Sequence, residues 1–353
     1  MSDNKPFLML DYANQMDSLH EKTLYECFPD ASDIFKAIGF ENVPGGVERG
    51  AVESALPEAT WRAINEPGGK SKGDFEDFEE RTSIMQNGCE IDKAIIGREG
   101  TGVLMRQEML HTKAIAKGFT DAFLGKSTDK RCFDGLQGRM GSKCVPLGHR
   151  DNNDYRHFGN NFDGTEFTSD PLPPSLQNLH MLTNQVDTSM GQGYFIMNPD
   201  MWTQIEFSQI CLDGNFIRKD FMVNGFNIPT LLGYPVLIGY DITSSYDKIL
   251  PFEENICVGD PSANNWTTPA TSGPTGGSSS IYFVSLGREA IKGIQVGPID
   301  WTFTGPEYDA AHCHIWNAMS YCWDVGMSCP KPTFAARLSG VKCVPAVKTN
   351  LAA

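Results

Sequence analysis

Few residues in this chain have the types and spacing that chemistry needs. His312-Cys313-His314 offers three soft ligands in a row, but in a strand His312 and His314 share one face while Cys313 points to the other. The three cannot converge on one ion. Asp151-Asn152-Asn153-Asp154 and Asp163-Gly164-Thr165-Glu166 are rich in oxygen ligands, yet neither follows the spaced Asp/Asn loop that wraps calcium. Gly97-Arg98-Glu99-Gly100-Thr101-Gly102 precedes a helix, but its glycines are out of order for a dinucleotide site. Neither it nor Gly273-Pro274-Thr275-Gly276-Gly277-Ser278 carries a P-loop lysine. There is no GxSxG elbow, no HExxH and no kinase motif set. Asn265-Trp266-Thr267 matches a glycosylation acceptor that a cytosolic chain would not use. The reading assigns no catalytic, cofactor-binding or metal-binding residue, and it expects no enzyme.

The elements that would have to position such residues suggest a structural role. The chain has 353 residues, 40% of them hydrophobic, enough for a large core. Its net charge of −15 argues against a protein whose main task is gripping phosphate backbones. No uncharged apolar run reaches the roughly 18 residues a membrane span needs, and Met1 to Gln15 lacks a signal-peptide core. The chain reads as a soluble protein made in the cytosol. Its ten cysteines form no CxxC pair, so reduced and mostly buried thiols are expected.

Residues 1–65 show short apolar clusters broken by turn signals, the pattern of an extended arm that lies against something else. A polar tip, Glu66 to Gly73, leads into the charged run Asp74-Phe75-Glu76-Asp77-Phe78-Glu79-Glu80-Arg81. Alternation from Cys89 to Ile95 predicts a strand returning from that excursion. From Val103 to Leu124, Met105, Met109, Ala116, Phe119 and Phe123 recur at helical spacing, with Ile115 and Ala122 alongside. This predicts a helix roughly 33 Å long, capped by Thr101 and ended at Gly125. Its polar side carries Arg106, Lys113 and Lys117. Residues 141–175 are loop-like. Buried strands are expected at Gly193–Asn198, Tyr234–Ile238 and Ile281–Val284, with a helix opened by Pro199 and a Gly/Ser-rich loop from Thr268 to Ser280. A long strand from Ala311 to Val325 has one apolar side, including Cys313, Ile315, Met319, Tyr321, Trp323 and Val325.

Several local sequences, taken in order, resemble the major capsid proteins of tailed bacteriophages with the Hong Kong 97-like fold, in the short branch without a fused scaffold. They are Leu56-Pro57-Glu58-Ala59-Thr60-Trp61-Arg62-Ala63-Ile64-Asn65, Glu90-Ile91-Asp92-Lys93-Ala94-Ile95, Ala122-Phe123-Leu124-Gly125 followed by Cys132-Phe133-Asp134-Gly135-Leu136, and Met197-Asn198-Pro199-Asp200-Met201-Trp202. Gly233-Tyr234-Pro235-Val236 and Ile249-Leu250-Pro251-Phe252-Glu253 fit later landmarks. The resemblance spans about residues 50 to 342. It implies an α+β chain with an N-terminal arm (1–65), an extended loop (66–97), a peripheral domain (98–175, spine helix 103–124), an axial domain (176–275), and a return to the peripheral domain with a long C-terminal strand (276–353). It further implies hexamers and pentamers forming an icosahedral shell around double-stranded DNA in a virion, made in a bacterial host's cytoplasm. The partners expected are a separate scaffolding protein and a portal, with a decoration protein as a further candidate and no membrane contact. On this reading residues 1–95 are buried between subunits and the chain is not cleaved. The alternatives are an encapsulin-like nanocompartment shell and an acidic enzyme with a pocket near Met197 to Trp202.

Charge adds a candidate contact. Residues 1–100 hold 20 acidic and 10 basic side chains, residues 101–150 hold 4 and 9, and the remainder 20 and 10. The long helix and the turn after it therefore form the one basic segment. Asp74, Glu76, Asp77, Glu79 and Glu80 of one subunit are expected to lie over Arg106, Lys113 and Lys117 of the next, in competition with a DNA-facing role for the basic stripe. Lys70 and Lys72 lie in the loop where the founding family member is crosslinked, but no partner site is identifiable.

Overall fold

The computed structural model describes residues 32–100, 102–125, 129–140, 145–146, 157–160, 172–207, 217–223, 226–239, 278–309 and 314–343. A short helix, α1 (Ile34–Ala37), leads into β1 (Phe40–Asn42). After a turn with Gly45 and Gly46 at φ 82° and 69°, β2 (Val47–Ala55) runs outward and β3 (Asp74–Arg81) returns as its antiparallel partner. These two form a separate ribbon. Then come β4 (Ser83–Asp92), α2 (Lys93–Glu99) and the long α3 (Gly102–Leu124). The expected strand at Cys89–Ile95 stops at Asp92, because the Asp92 carboxylate accepts a bond from the Ala94 N–H at 2.7 Å and caps α2.

Gly125, at φ 84°, ends α3 as expected, whereas Thr101 lies outside the described residues. The turn that follows brings Gly135 so close that a Cβ there would lie 2.1 Å from the Ala122 carbonyl oxygen, so only glycine fits. Gly135 precedes α4 (Leu136–Arg139), and β5 (Val145–Pro146), β6 (His157–Gly159) and α5 (Leu176–Thr183) follow. β7 (Gln192–Met197) and α6 (Pro199–Phe207) meet at Asn198, whose side-chain oxygen accepts from the Asp200 N–H at 2.8 Å. The remaining strands are β8 (Ile217–Val223), β9 (Phe226–Leu231), β10 (Tyr234–Ile238), β11 (Ser278–Leu286), β12 (Lys292–Gln295), β13 (Asp300–Asp309), β14 (His314–Ser328) and β15 (Ala335–Lys342).

Two larger sheets organise the chain. One has the order β1-β12-β14-β13, with β4 on the free side of β14; the other runs β5-β6-β15-β11-β7-β10-β9-β8. Alternation along β7 and β11 separates two cores. Tyr194, Ile196, Tyr282 and Val284 join the core shared with α3, while Phe195, Met197, Ile281 and Phe283 join the core around α5 and α6.

The first core is aromatic. Phe119 of α3 lies 5.2 to 6.0 Å from the rings of Phe35, Phe40, Phe123, Phe133 and Trp323. This corrects the expectation that residues 1–95 are buried only between subunits: Ile34, Phe35, Ile38 and Phe40 are buried in their own chain. The helix stripe also needs correction. Ile115, Ala116, Phe119, Ala122 and Phe123 are buried, but Met105 and Met109 are 63% and 46% exposed, and Glu108 and Thr112 turn inward instead.

Candidate assembly surface

Antiparallel register puts Arg49 opposite Glu79 on the ribbon, and Arg81 lies two residues along the same face. Glu79 accepts from the Arg49 Nε at 3.0 Å and lies 2.6 Å from an Arg81 nitrogen. Its hydrogen bond to Arg81, helped by Arg49, lowers its carboxyl below the usual range. Glu80 points to the opposite face and accepts from Nη1 and Nη2 of Arg139 in α4, the Nη2 bond being 2.8 Å long. Burial works against that guanidinium's charge, but the bond and attraction to Glu80 still raise its pKa. The pair ties the root of the ribbon to the turn after α3.

A second ionic tie holds the ribbon's other strand. Lys292 of β12 lies 2.6 Å from Glu41 of β1 and 2.6 Å from Glu48 of β2. Desolvation opposes its charge, yet those two carboxylates raise its pKa. The ribbon is therefore anchored at its base while its far end, residues 56–72, is exposed.

Of the residues expected to contact a neighbouring subunit, Lys70, Lys72, Asp74, Glu76 and Asp77 are exposed on that outer part. Glu79 and Glu80 already have partners in their own chain. Arg106 is exposed on α3, and Lys113 and Lys117 are half-buried about two and three turns further along the same stripe. The structure thus brings Glu80 to Arg139, a partner 59 residues away that no local pattern indicates, and leaves Asp74, Glu76 and Asp77 facing outward.

Among the described residues no group of three His, Cys, Asp or Glu side chains is placed to hold a metal, and no helix is long and apolar enough to cross a membrane. His312, Cys313, Asp151–Asp154, Asp163–Glu166 and Asn265–Thr267 lie outside the described residues. Cys89, Cys132, Cys322 and Cys329 are free, half-buried thiols and Cys343 is buried. Burial pushes the Cys329 thiol up to about 12, far from the reactive range.

No protein-family model matches the chain, and no curated protein matches it in sequence. Solved structures do match in three dimensions. The capsid of a native GTA particle superposes with TM-score 0.57 at 13% identity, covering 88% of this chain and 90% of that one. The holo-SrpI encapsulin complex from Synechococcus elongatus PCC 7942 gives 0.55 at 12%, covering 88% and 87%. The Mycobacterium phage Bobi structure gives 0.54 at 11%, covering 87% and 89%. With most of both chains superposed in each case, this chain has the α+β Hong Kong 97-like capsid fold.

Proposed function

We propose that this chain is the major capsid protein of a tailed phage, self-assembling into an icosahedral shell around double-stranded DNA. The observation that carries the reading is the anchored ribbon on a shell-protein fold. Two ionic ties, Glu80 with Arg139 and Lys292 with Glu41 and Glu48, hold the base of an excursion whose outer residues, 56–72, are exposed among the described residues. Such an element is useful only when another molecule covers it. The protein then has a structural role, in hexamers and pentamers, with a scaffolding protein, a portal and a decoration protein as partners. It places the protein in the virion after synthesis in the host cytoplasm.

In this reading Asp74, Glu76 and Asp77 lie over Arg106, Lys113 and Lys117 of an adjacent copy, with Glu79 and Glu80 reserved for holding the ribbon itself. Each exposed pair would contribute only about 0–1 kcal/mol, repeated in every subunit. A net charge of −15 also suits a wall that encloses DNA without holding it tightly.

An encapsulin-like compartment is the second reading, supported by the likeness to the encapsulin subunit. Purified native particles separate the two. Nuclease-protected DNA inside them supports the capsid, whereas particles filled with a protein cargo and free of DNA support the compartment.

A further inference from the structure

Asp33 holds the N-cap position of α1 and is a residue type that ordinarily caps, yet its side chain makes no capping bond. It reaches out of the segment instead. Its Oδ2 accepts from the Ile238 N–H at 3.1 Å, and its Oδ1 accepts from the Lys36 ammonium at 2.5 Å, which orients the carboxylate. Ile238 ends β10, in the eight-stranded sheet. Gly239, next in the chain, donates to the Met197 carbonyl of β7 at 3.0 Å, so the Ile238 N–H points to the other side of β10. There the pairing with β9 has already ended at Pro235 and Thr230. A carboxylate 205 residues away in the chain thus supplies the acceptor that this backbone donor needs.

From Asp33 the chain is tied every few residues as far as the ribbon. The Ser32 hydroxyl accepts from Thr120 of α3 at 3.0 Å. The rings of Phe35 and Phe40 lie 5.2 and 5.4 Å from that of Phe119. Phe40 faces Gly293 of β12 so closely that a Cβ there would lie 2.4 Å from its ring. The Asn42 side-chain oxygen accepts from Gln295 at 2.8 Å, and the Val43 N–H donates to the Gln295 carbonyl at 2.7 Å. Beyond the turn, the Gly46 carbonyl accepts from the Thr82 N–H at 3.0 Å, where the returning strand leaves the ribbon. Lys292 closes the series, 2.6 Å from Glu41 before the turn and 2.6 Å from Glu48 after it. The segment's own secondary structure is slight, four residues of helix and three of strand. Elements this short do not hold by themselves; they open and close with the contacts at their ends.

We infer that residues 32–48 form one strap that couples the root of the ribbon to the end of β10, so that loosening either end loosens the other. The packed rings at its middle transmit strain rather than absorb it, which keeps the two ends in step. The coupling is reciprocal, since a change at one end alters the free energy of the other by the same amount in either direction. Where another copy covers the ribbon, a use that rests on the shell reading, the strap carries that event into the eight-stranded sheet.

The test is amide hydrogen exchange of the unassembled full chain, resolved to single residues. Lys292→Met removes both carboxylate ties at the ribbon's root. Exchange at Ile238 should then rise about fivefold or more, together with Phe40 to Asn42, while β7 and β11 stay protected. Glu48→Gln, which leaves Glu41 on Lys292, should raise the same amides by less, and it carries the test if Lys292→Met does not fold. In the reverse direction, Asp33→Ala should raise exchange at Thr82, whose acceptor is the Gly46 carbonyl. An Ile238 amide unmoved by release of the ribbon's root, or a Thr82 amide unmoved by Asp33→Ala, would overturn the strap. A rise at Ile238 matched by an equal rise throughout β7 and β11 would overturn it too, because that is general weakening. The measurement is made on separate subunits, so its outcome is distinct from that of the shell reading, which stands or falls on particles.

Discussion

Replacing Phe119 by alanine probes the joint on which the excursion depends. The ring is fully buried and lies within 6.0 Å, centroid to centroid, of five other aromatic rings from α1, β1, α3, the turn before α4, and β14. A buried Phe→Ala change costs about 3–5 kcal/mol, combining lost transfer energy with the cavity left behind. The upper part of that range applies here, because the neighbours are rings on separate elements that cannot all close the gap. Aromatic geometry adds about 0.5–1.5 kcal/mol per pair, not additively. Against a total stability of roughly 5–15 kcal/mol, a loss of about 4–5 kcal/mol is severe.

The assay is urea unfolding of the unassembled subunit, read by Trp fluorescence because Trp323 borders the cavity. With a slope of at most a few kcal/mol per molar, the midpoint should fall by about 1 M or more. Tryptic cleavage after Lys36 should accelerate in the same variant, since Phe35 and Phe40 lose the ring that pins them. A Phe119→Leu control should lose less than half as much. A midpoint shift equivalent to under about 1 kcal/mol, with unchanged cleavage at Lys36, would refute the idea that this ring joins the N-terminal segment to the helix and sheet.

Arg139→Ala strands the partly buried Glu80 carboxylate and should cost roughly 1–3 kcal/mol, with much of the loss recovered by adding Glu80→Gln; denaturant midpoints of the three variants check this. Gly135→Ala, which forces a methyl group onto the Ala122 carbonyl oxygen, should destabilise by about 2 kcal/mol or more and lower the melting temperature, and an unchanged melt would mean that the turn opens freely. Burial holds the His111 imidazole, stacked on Tyr321, below the ordinary histidine value of 6.5. The unfolded chain therefore binds the extra proton more readily, so stability should fall as the pH drops below that value, and His111→Gln should flatten this limb of a pH–stability curve. Burial raises the Tyr194 phenol from 10.0 to about 12, so its contribution should be present below pH 10.0 and lost as the pH rises through that window; Tyr194→Phe should reduce the slope.

The legible parts of this fold were those whose burial follows a local period. The long helix begins within one residue of its expected start because Ile115, Ala116, Phe119 and Phe123 repeat at helical spacing and all face the core. The same pattern misled at Met105 and Met109, which repeat on schedule yet point outward. Apolar periodicity cannot distinguish a face buried in its own chain from one offered to another molecule. Strand β14 shows the same limit at Ile315, where the alternation continues past the end of the core. The N-terminal segment was misread for the opposite reason. α1 has four residues and β1 three, too short to show a period, although Phe35 and Phe40 sit at the centre of the aromatic cluster. The exposed ribbon charges were visible in sequence, but the partners of Glu79, Glu80 and Glu48 depend on register and on contacts dozens to hundreds of residues apart. Ion pairing at such range leaves no local trace.

The central claim is that this chain builds a shell, and electron microscopy of the purified full-length protein, across a concentration series and alongside sedimentation, tests it most directly. The account predicts closed hollow particles, or curved sheets of hexamers, appearing cooperatively above a threshold concentration. A protein that stays a folded, monodisperse monomer at every concentration and ionic strength would contradict it.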